Sequence, residues 1–141
     1  MSTEENKAIA RRIQEELWDQ KNLAVADELL APNYVDHVAD SLPGVPPGPA
    51  GYKQSASAYF TAFPAVRITV EHQIAEGDMV VTRWTSHGTN TGSHHGRPAT
   101  HKSATVTGIT IDHIVDGKLV ESWTEYDNLS SMQQLGVAPA R

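Results

Sequence analysis

The feature that most constrains this chain is a change of hydrophobic period near residue 64. Before it, apolar side chains recur at helical spacing; after it, they alternate. Ile9, Ile13 and Leu17 recur every fourth residue, and Ser2 with Glu5 forms a capping box, so a helix is expected over residues 4–19. Asn22 reads as the cap of a second helix carrying Leu23, Ala26, Leu29 and Leu30, ended by Pro32 and Asn33 before an extended Tyr34-Val35-Asp36-His37. Tyr52, Ala56, Tyr59, Phe60 and Phe63 define a third helix that starts at Pro49. It stops before Pro64, because a residue preceding proline is pushed out of helical geometry.

Beyond Pro64, Val66, Ile68, Val70, His72 and Ile74 are expected on one face of a long strand, with Arg67, Thr69, Glu71 and Gln73 on the other. Gly77-Asp78 turns the chain into a β-rich run, Met79 to Gly88, followed by a glycine-spaced loop to Pro98. A strand over residues 102–114, a turn at Asp116-Gly117 and a last strand from Leu119 to Tyr126 precede a terminal helical turn. Helices first and antiparallel strands afterwards imply an α+β domain spanning residues 1–141, with helices on one face of a curved sheet. A three-residue turn with a glycine bulge puts Thr110 and Thr124 on the same face of neighbouring strands. It leaves Ile109, Ile111 and Trp123 on the outer face, where an apolar patch needs cover, so a homodimer is expected.

Composition removes whole classes of chemistry. The chain has no cysteine, which excludes disulfides, thiolate metal sites and a cysteine nucleophile. A net charge of -6, with the basic residues scattered, disfavours nucleic acid. No window approaches the roughly 20 apolar residues of a membrane span, and the polar, acidic start Ser2 to Asn6 lacks the pattern of a signal peptide, so a cytoplasmic protein is expected. The stretch Leu42 to Pro49 holds four prolines and two glycines and suits a loop at a pocket rim.

An ordered set of short strings resembles the SnoaL-like polyketide cyclases of the nuclear-transport-factor-2-like superfamily. These are Leu30 to His37, Pro43 to Gly48, Ala62-Phe63-Pro64, Ala75 to Asp78, Thr89 to Gly92, Asp116 to Trp123 and Gln133 to Gly136. The resemblance implies a cone of antiparallel strands closed by three helices around a small-molecule pocket, often dimeric and working without a cofactor. In the characterised cyclases an aspartate just after the position of Trp123 is the general acid/base of an aldol ring closure, assisted by a histidine of the preceding strand. Here those positions hold Thr124 and Thr110. A threonine hydroxyl bonds a carbonyl but does not shuttle protons near neutral pH. Two functions follow: a cofactor-independent enzyme on a small, polyketide-like substrate that uses another acid/base group, or a non-catalytic ligand-binding domain.

Two ionisable residues are candidates for that group. His37 ends the first short strand beside the proline-rich loop, where it is either a base at the pocket mouth or a surface side chain. Asp127 is either a displaced acid/base or the N-cap of the terminal helix. Tyr34, His72, Trp84, Thr110, Thr124 and Tyr126 complete the expected pocket wall, although His72, Trp84 and Tyr126 also suit a core. His87, His94, His95 and His101 fall within fifteen residues, but neither their spacing nor their surroundings match a metal site, and no metal is expected.

Overall fold

Ser2 caps the first helix by accepting the Glu5 N–H at 3.1 Å while Glu5 accepts the Ser2 N–H at 3.1 Å, the reciprocal pair read from the sequence. A computed structural model describes residues 1–38 and 44–139. Leu42 and Pro43 of the expected rim loop lie outside the described residues. Helix α1 (Thr3–Arg12) runs straight into a π-helix (Ile13–Asp19). The wider turn differs from the single α-helix expected, and such segments are rare and recur at functional sites. Asn22 does not cap through its side chain. Helix α2 (Val25–Leu29) starts at Ala24, and the Asn22 carbonyl accepts the Val25 N–H at 3.2 Å.

Strand β1 (Leu30–Val38) starts earlier than expected and takes in Pro32 and Asn33. Its register shifts between Leu30 and Val35, so the proline, which has no N–H to give, sits in the irregular part of the ladder. Helix α3 (Gly48–Ala62) then returns the chain across the sheet. Gly48 has φ 85°, and a Cβ there would lie 2.3 Å from the Pro32 carbonyl oxygen, so only glycine fits where α3 meets β1.

Strands β2 (Arg67–Glu76), β3 (Met79–Thr89), β4 (Ser103–Val115) and β5 (Lys118–Tyr126) complete one five-stranded sheet of order β1-β5-β4-β3-β2. Three pairings are antiparallel as expected, but β1 lies parallel to β5 along the far edge. Two irregularities set which side chains face inward. A bulge in β2 between Val70 and His72 reverses the alternation, so His72 and Ile74 turn to the outer face and Gln73 and Ala75 turn in. The β4–β5 connection is a two-residue turn with Asp116 at φ 50° and Gly117 at φ 80°, not a three-residue one. The extra residue is Val120, opposite the step from His113 to Ile114, and it restores the register that pairs Thr110 with Thr124.

The helices bury their apolar stripe on the inner face in two clusters. One joins the π-helix, α2 and β1 to β4 and β5 through Leu17, Leu29, Tyr34, Ile114 and Leu119; the other gathers Phe63, Val66, Val106 and Leu135 beneath helix α4 (Asn128–Gln134). No helix among the described residues is long and apolar enough to cross a membrane.

Candidate functional site

Between the helices and the inner face lies a cavity of about 590 Å³. Its wall is a set of cross-strand rows. Val38, Thr124, Thr110 and Thr82 occupy one row; Asp36, Ser122, Asp112 and Val80 occupy the next, nearer the β4–β5 turn. From the helices the π-helix supplies Ile13, Gln14 and Trp18, and α3 supplies Tyr52 and Tyr59.

Thr110 and Thr124 meet across the ladder, their hydroxyl oxygens 3.1 Å apart, and Trp84 Nε1 donates to Thr110 Oγ1 at 3.0 Å. The indole reaches that threonine by lying over Gly108, where a Cβ would sit 2.3 Å from the ring. This row is polar and closed on itself, with no group that titrates near neutral pH.

One row deeper the chemistry changes. Asp112 is 1% exposed, and the only hydrogen bond to its carboxyl among the described residues is from Ser122 Oγ to Oδ1 at 2.5 Å. Its Oδ2 is buried without a partner, although Asp112 lines the cavity. Burial pushes the carboxyl up to about 7; the Ser122 hydrogen bond opposes this, and the nearby Asp36 charge adds to it. Burial also raises the Tyr34 and Tyr52 phenols, so both stay protonated near neutral pH. Trp18 Nε1 donates to the Tyr52 oxygen at 2.7 Å, which frees the Tyr52 proton for another acceptor. The cavity floor therefore holds a carboxyl able to take or give a proton, among neutral hydroxyl donors.

Tyr34, Trp84, Thr110, Thr124 and Tyr126 all line the cavity. His72, His37 and Asp127 do not. The β2 bulge carries His72 outward. His37 follows the inward Asp36 and so points out. Its ring stacks on Trp123 with centroids 5.0 Å apart, and its Nε2 lies 3.1 Å from Glu121 Oε1. Asp127 caps α4, its Oδ1 accepting the Ser130 N–H at 3.0 Å. Of the four clustered histidines, His94 and His95 reach the cavity rim, and His87 bonds Thr105 on the outer face at 2.8 Å. Asp36, Asp112, Trp18 and Tyr52 were missed. Parity was the available signal for the carboxylates, since Asp112 alternates with Thr110 and Asp36 with Tyr34.

The family model for SnoaL-like polyketide cyclases matches residues 8–135. No curated protein matches the chain. Among solved structures the chain is similar to TsrD from Streptomyces laurentii at 24% identity, covering 98% of this chain and 99% of that one with a TM-score of 0.85. It is similar to IdmH from Streptomyces antibioticus at 28% identity, covering 94% and 99% with a TM-score of 0.80. A SnoaL-like polyketide cyclase from Agrobacterium tumefaciens shares 16% identity over 96% of this chain and all of that one, with a TM-score of 0.77. TsrD and the Agrobacterium protein bear on the fold alone, whereas the family match spans both halves of the cavity. The chain belongs to the SnoaL-like polyketide cyclase family.

Proposed function

We propose that this chain is a cofactor-independent enzyme that performs proton transfer on a small, polyketide-like carbonyl substrate, with Asp112 as the acid/base group. The observation that carries the reading is the Asp112 carboxyl, buried at the cavity wall with one oxygen unpaired; its burial pushes it up to about 7. A carboxylate whose conjugate acid has moved up by about three pKa units is a base stronger by about three powers of ten, and it is poised at the operating pH. In an aldol ring closure it takes the proton from the carbon beside a carbonyl. The resulting enolate forms a carbon–carbon bond to a second carbonyl of the same molecule, and the proton on Asp112 goes to the new alkoxide. Tyr34 and Tyr52 stay neutral and donate hydrogen bonds to the carbonyl oxygens as charge develops. Thr110 and Thr124 then hold the substrate body without entering proton transfer.

Exchange into deuterium oxide isolates the first half of this reaction. With 1-phenyl-1,3-butanedione as probe, the wild type should accelerate loss of the central methylene proton signals, and Asp112→Asn should abolish the acceleration. Equal rates for the two proteins would remove the proposal. They would favour the second reading, a non-catalytic ligand-binding domain, for which the closed Thr110–Thr124 hydroxyl pair is the supporting observation.

The same reading includes a homodimer. On the outer face His37, Trp123, Ile111, Val81 and Ile74 form a single row across all five strands, with Trp123 37% and Ile74 69% exposed. A second copy of that face would cover it.

A further inference from the structure

We propose that the cavity's natural ligand is an elongated organic acid, its carboxylate held by Arg97 at the end remote from Asp112. The inference rests on reading the cavity as a substrate site and adds the class of molecule it takes.

The formal charges on the cavity wall are separated. Asp36 and Asp112 lie on the sheet near the β4–β5 turn, whereas Arg97 comes from the loop joining β3 to β4 at the opposite end of those strands. That loop is built rather than loose. The Thr91 and Gly92 N–H groups donate to the Ala62 carbonyl at 3.1 and 3.2 Å, and the Asn90 side chain ties Ala62, Gly92 and Thr100 together.

The tip of the loop is a two-residue turn with His95 at φ 49° and Gly96 at φ 76°. It is closed by His94 N–H to Arg97 oxygen at 3.0 Å and Arg97 N–H to His94 oxygen at 2.9 Å. Residues paired in this way send their side chains to the same side. The His94 ring packs edge-on against Tyr59 and Phe63 of the cavity wall, 5.8 Å from each, so Arg97 is aimed inward beside it. Arg97 is half-buried and makes no ion pair among the described residues. Removing a cation from water without a counter-ion is costly, and an anion on the ligand offsets that cost. A guanidinium receives a carboxylate through two parallel hydrogen bonds.

The distance between the poles sets the ligand's shape. Asp112 and Val106 both line the cavity six residues apart on β4, about 20 Å at strand rise. Trp84, Tyr126, Phe63 and Val106 line the space between. A ligand touching both ends has an apolar body, its anionic group at the mouth and its reacting carbonyl at the floor. The opposite orientation would put a carboxylate against Asp36 and Asp112 and is repelled.

Calorimetric titration with 6-phenylhexanoate and its methyl ester tests this without requiring turnover. The wild type should bind the acid about ten- to a hundredfold more tightly than the ester, the usual worth of a charge-assisted pair. Arg97→Gln should bring the acid down to the ester's affinity and leave the ester unchanged. Asp112→Asn should keep the preference for the acid even though it removes exchange activity. Equal binding of acid and ester by the wild type, failure of both to bind, or a preference that survives Arg97→Gln would each overturn the proposal. None of these results bears on the proton-transfer role of Asp112, which the exchange assay decides alone.

Discussion

Asp112 lies two residues beyond Thr110 on the inner face of β4, one cross-strand row nearer the β4–β5 turn. The two positions are about 7 Å apart along the strand. Where the family's cyclases place their acid/base pair, this protein has two hydroxyls bonded to each other, and the titratable carboxyl stands one row deeper. A reacting carbon presented to Asp112 must therefore sit deeper than one presented to the Thr110–Thr124 row. With Asp112 as the proposed acid/base, the reactive point would lie further along the strand within the same shell, and a substrate of a different length or with a different carbonyl position is expected.

Asp112→Asn should make the protein more stable above pH 7 while removing exchange activity. An acid whose native pKa is raised binds more protons folded than unfolded between its two values. Stability therefore falls as pH rises from about 4 to about 7 and stays low above that. A rise of about three units corresponds to about 4 kcal/mol at most. The asparagine keeps the Ser122 bond but leaves its amide unpaired, so the net gain should be about 1–3 kcal/mol. Urea unfolding of both proteins at pH 5 and pH 8 measures it, and an unchanged difference between the two pH values would sink the assignment of Asp112 as the titrating group.

Gly108→Ala should reshape the cavity wall. The added methyl carbon would meet the Trp84 ring at 2.3 Å, so the indole must swing away and release Thr110 Oγ1. The expected cost is about 1–3 kcal/mol of stability from forced overpacking, together with a changed indole emission. If Gly108→Ala leaves both stability and tryptophan emission as in the wild type, the indole does not rest on Gly108.

Much of this arrangement is legible in the sequence, and the parts that are not fail for separate physical reasons. The capping box and the third helix follow from periodicity and capping residues. The inward pairing of Thr110 with Thr124 and the outward Trp123 are reached from a three-residue turn, whereas a two-residue turn compensated by the extra Val120 gives that register. The outward His72 does not follow from periodicity, because one extra residue in β2 reverses every later side chain, and nothing in Val70-Glu71-His72 marks a bulge. His37 stays open between pocket mouth and surface in the sequence because the parallel β1–β5 pairing, which makes Asp36 the inward residue, is a long-range contact. Asp112 shares its parity with the pocket-facing Thr110, but a carboxylate amid Ile109, Ile111 and Ile114 reads as a surface residue until Ser122 and Asp36 are known to flank it.

Asp127 provides a direct test of capping against chemistry. Its carboxylate accepts the Ser130 N–H and sits outside the cavity. Asp127→Asn should keep nearly full stability, Asp127→Ala should lose about 0.5–2 kcal/mol, and exchange activity should be unchanged in the asparagine variant. Loss of activity with stability retained in Asp127→Asn would assign it a chemical role instead.

The outer row predicts association that one charge can prevent. Ile111 lies at the centre of the row between Trp123 and Val81, so Ile111→Arg should leave circular dichroism unchanged while turning a dimer into a monomer by light scattering. A wild-type monomer at micromolar concentration would dispose of the dimer.

His113 is a second source of pH dependence, separable from Asp112. Its Nδ1 lies 3.1 Å from Glu121 Oε2 and its Nε2 2.8 Å from Asp78 Oδ2, so both ring nitrogens face carboxylates and both must carry protons. Those hydrogen bonds, Glu121 first and Asp78 second, raise the imidazole above its ordinary value. A basic group raised in the folded state contributes stability that is fully present below its unfolded pKa, about 6.5, and lost as pH rises through the native value. His113→Gln should therefore match the wild type's stability trend in alkaline solution but fall below it near pH 6. The Asp112 contribution, which changes mainly between pH 4 and 7, should persist in this variant. Urea midpoints taken across pH 5 to 9 resolve the two effects, and a His113→Gln curve parallel to the wild type throughout would show that His113 is not held charged by its two carboxylates.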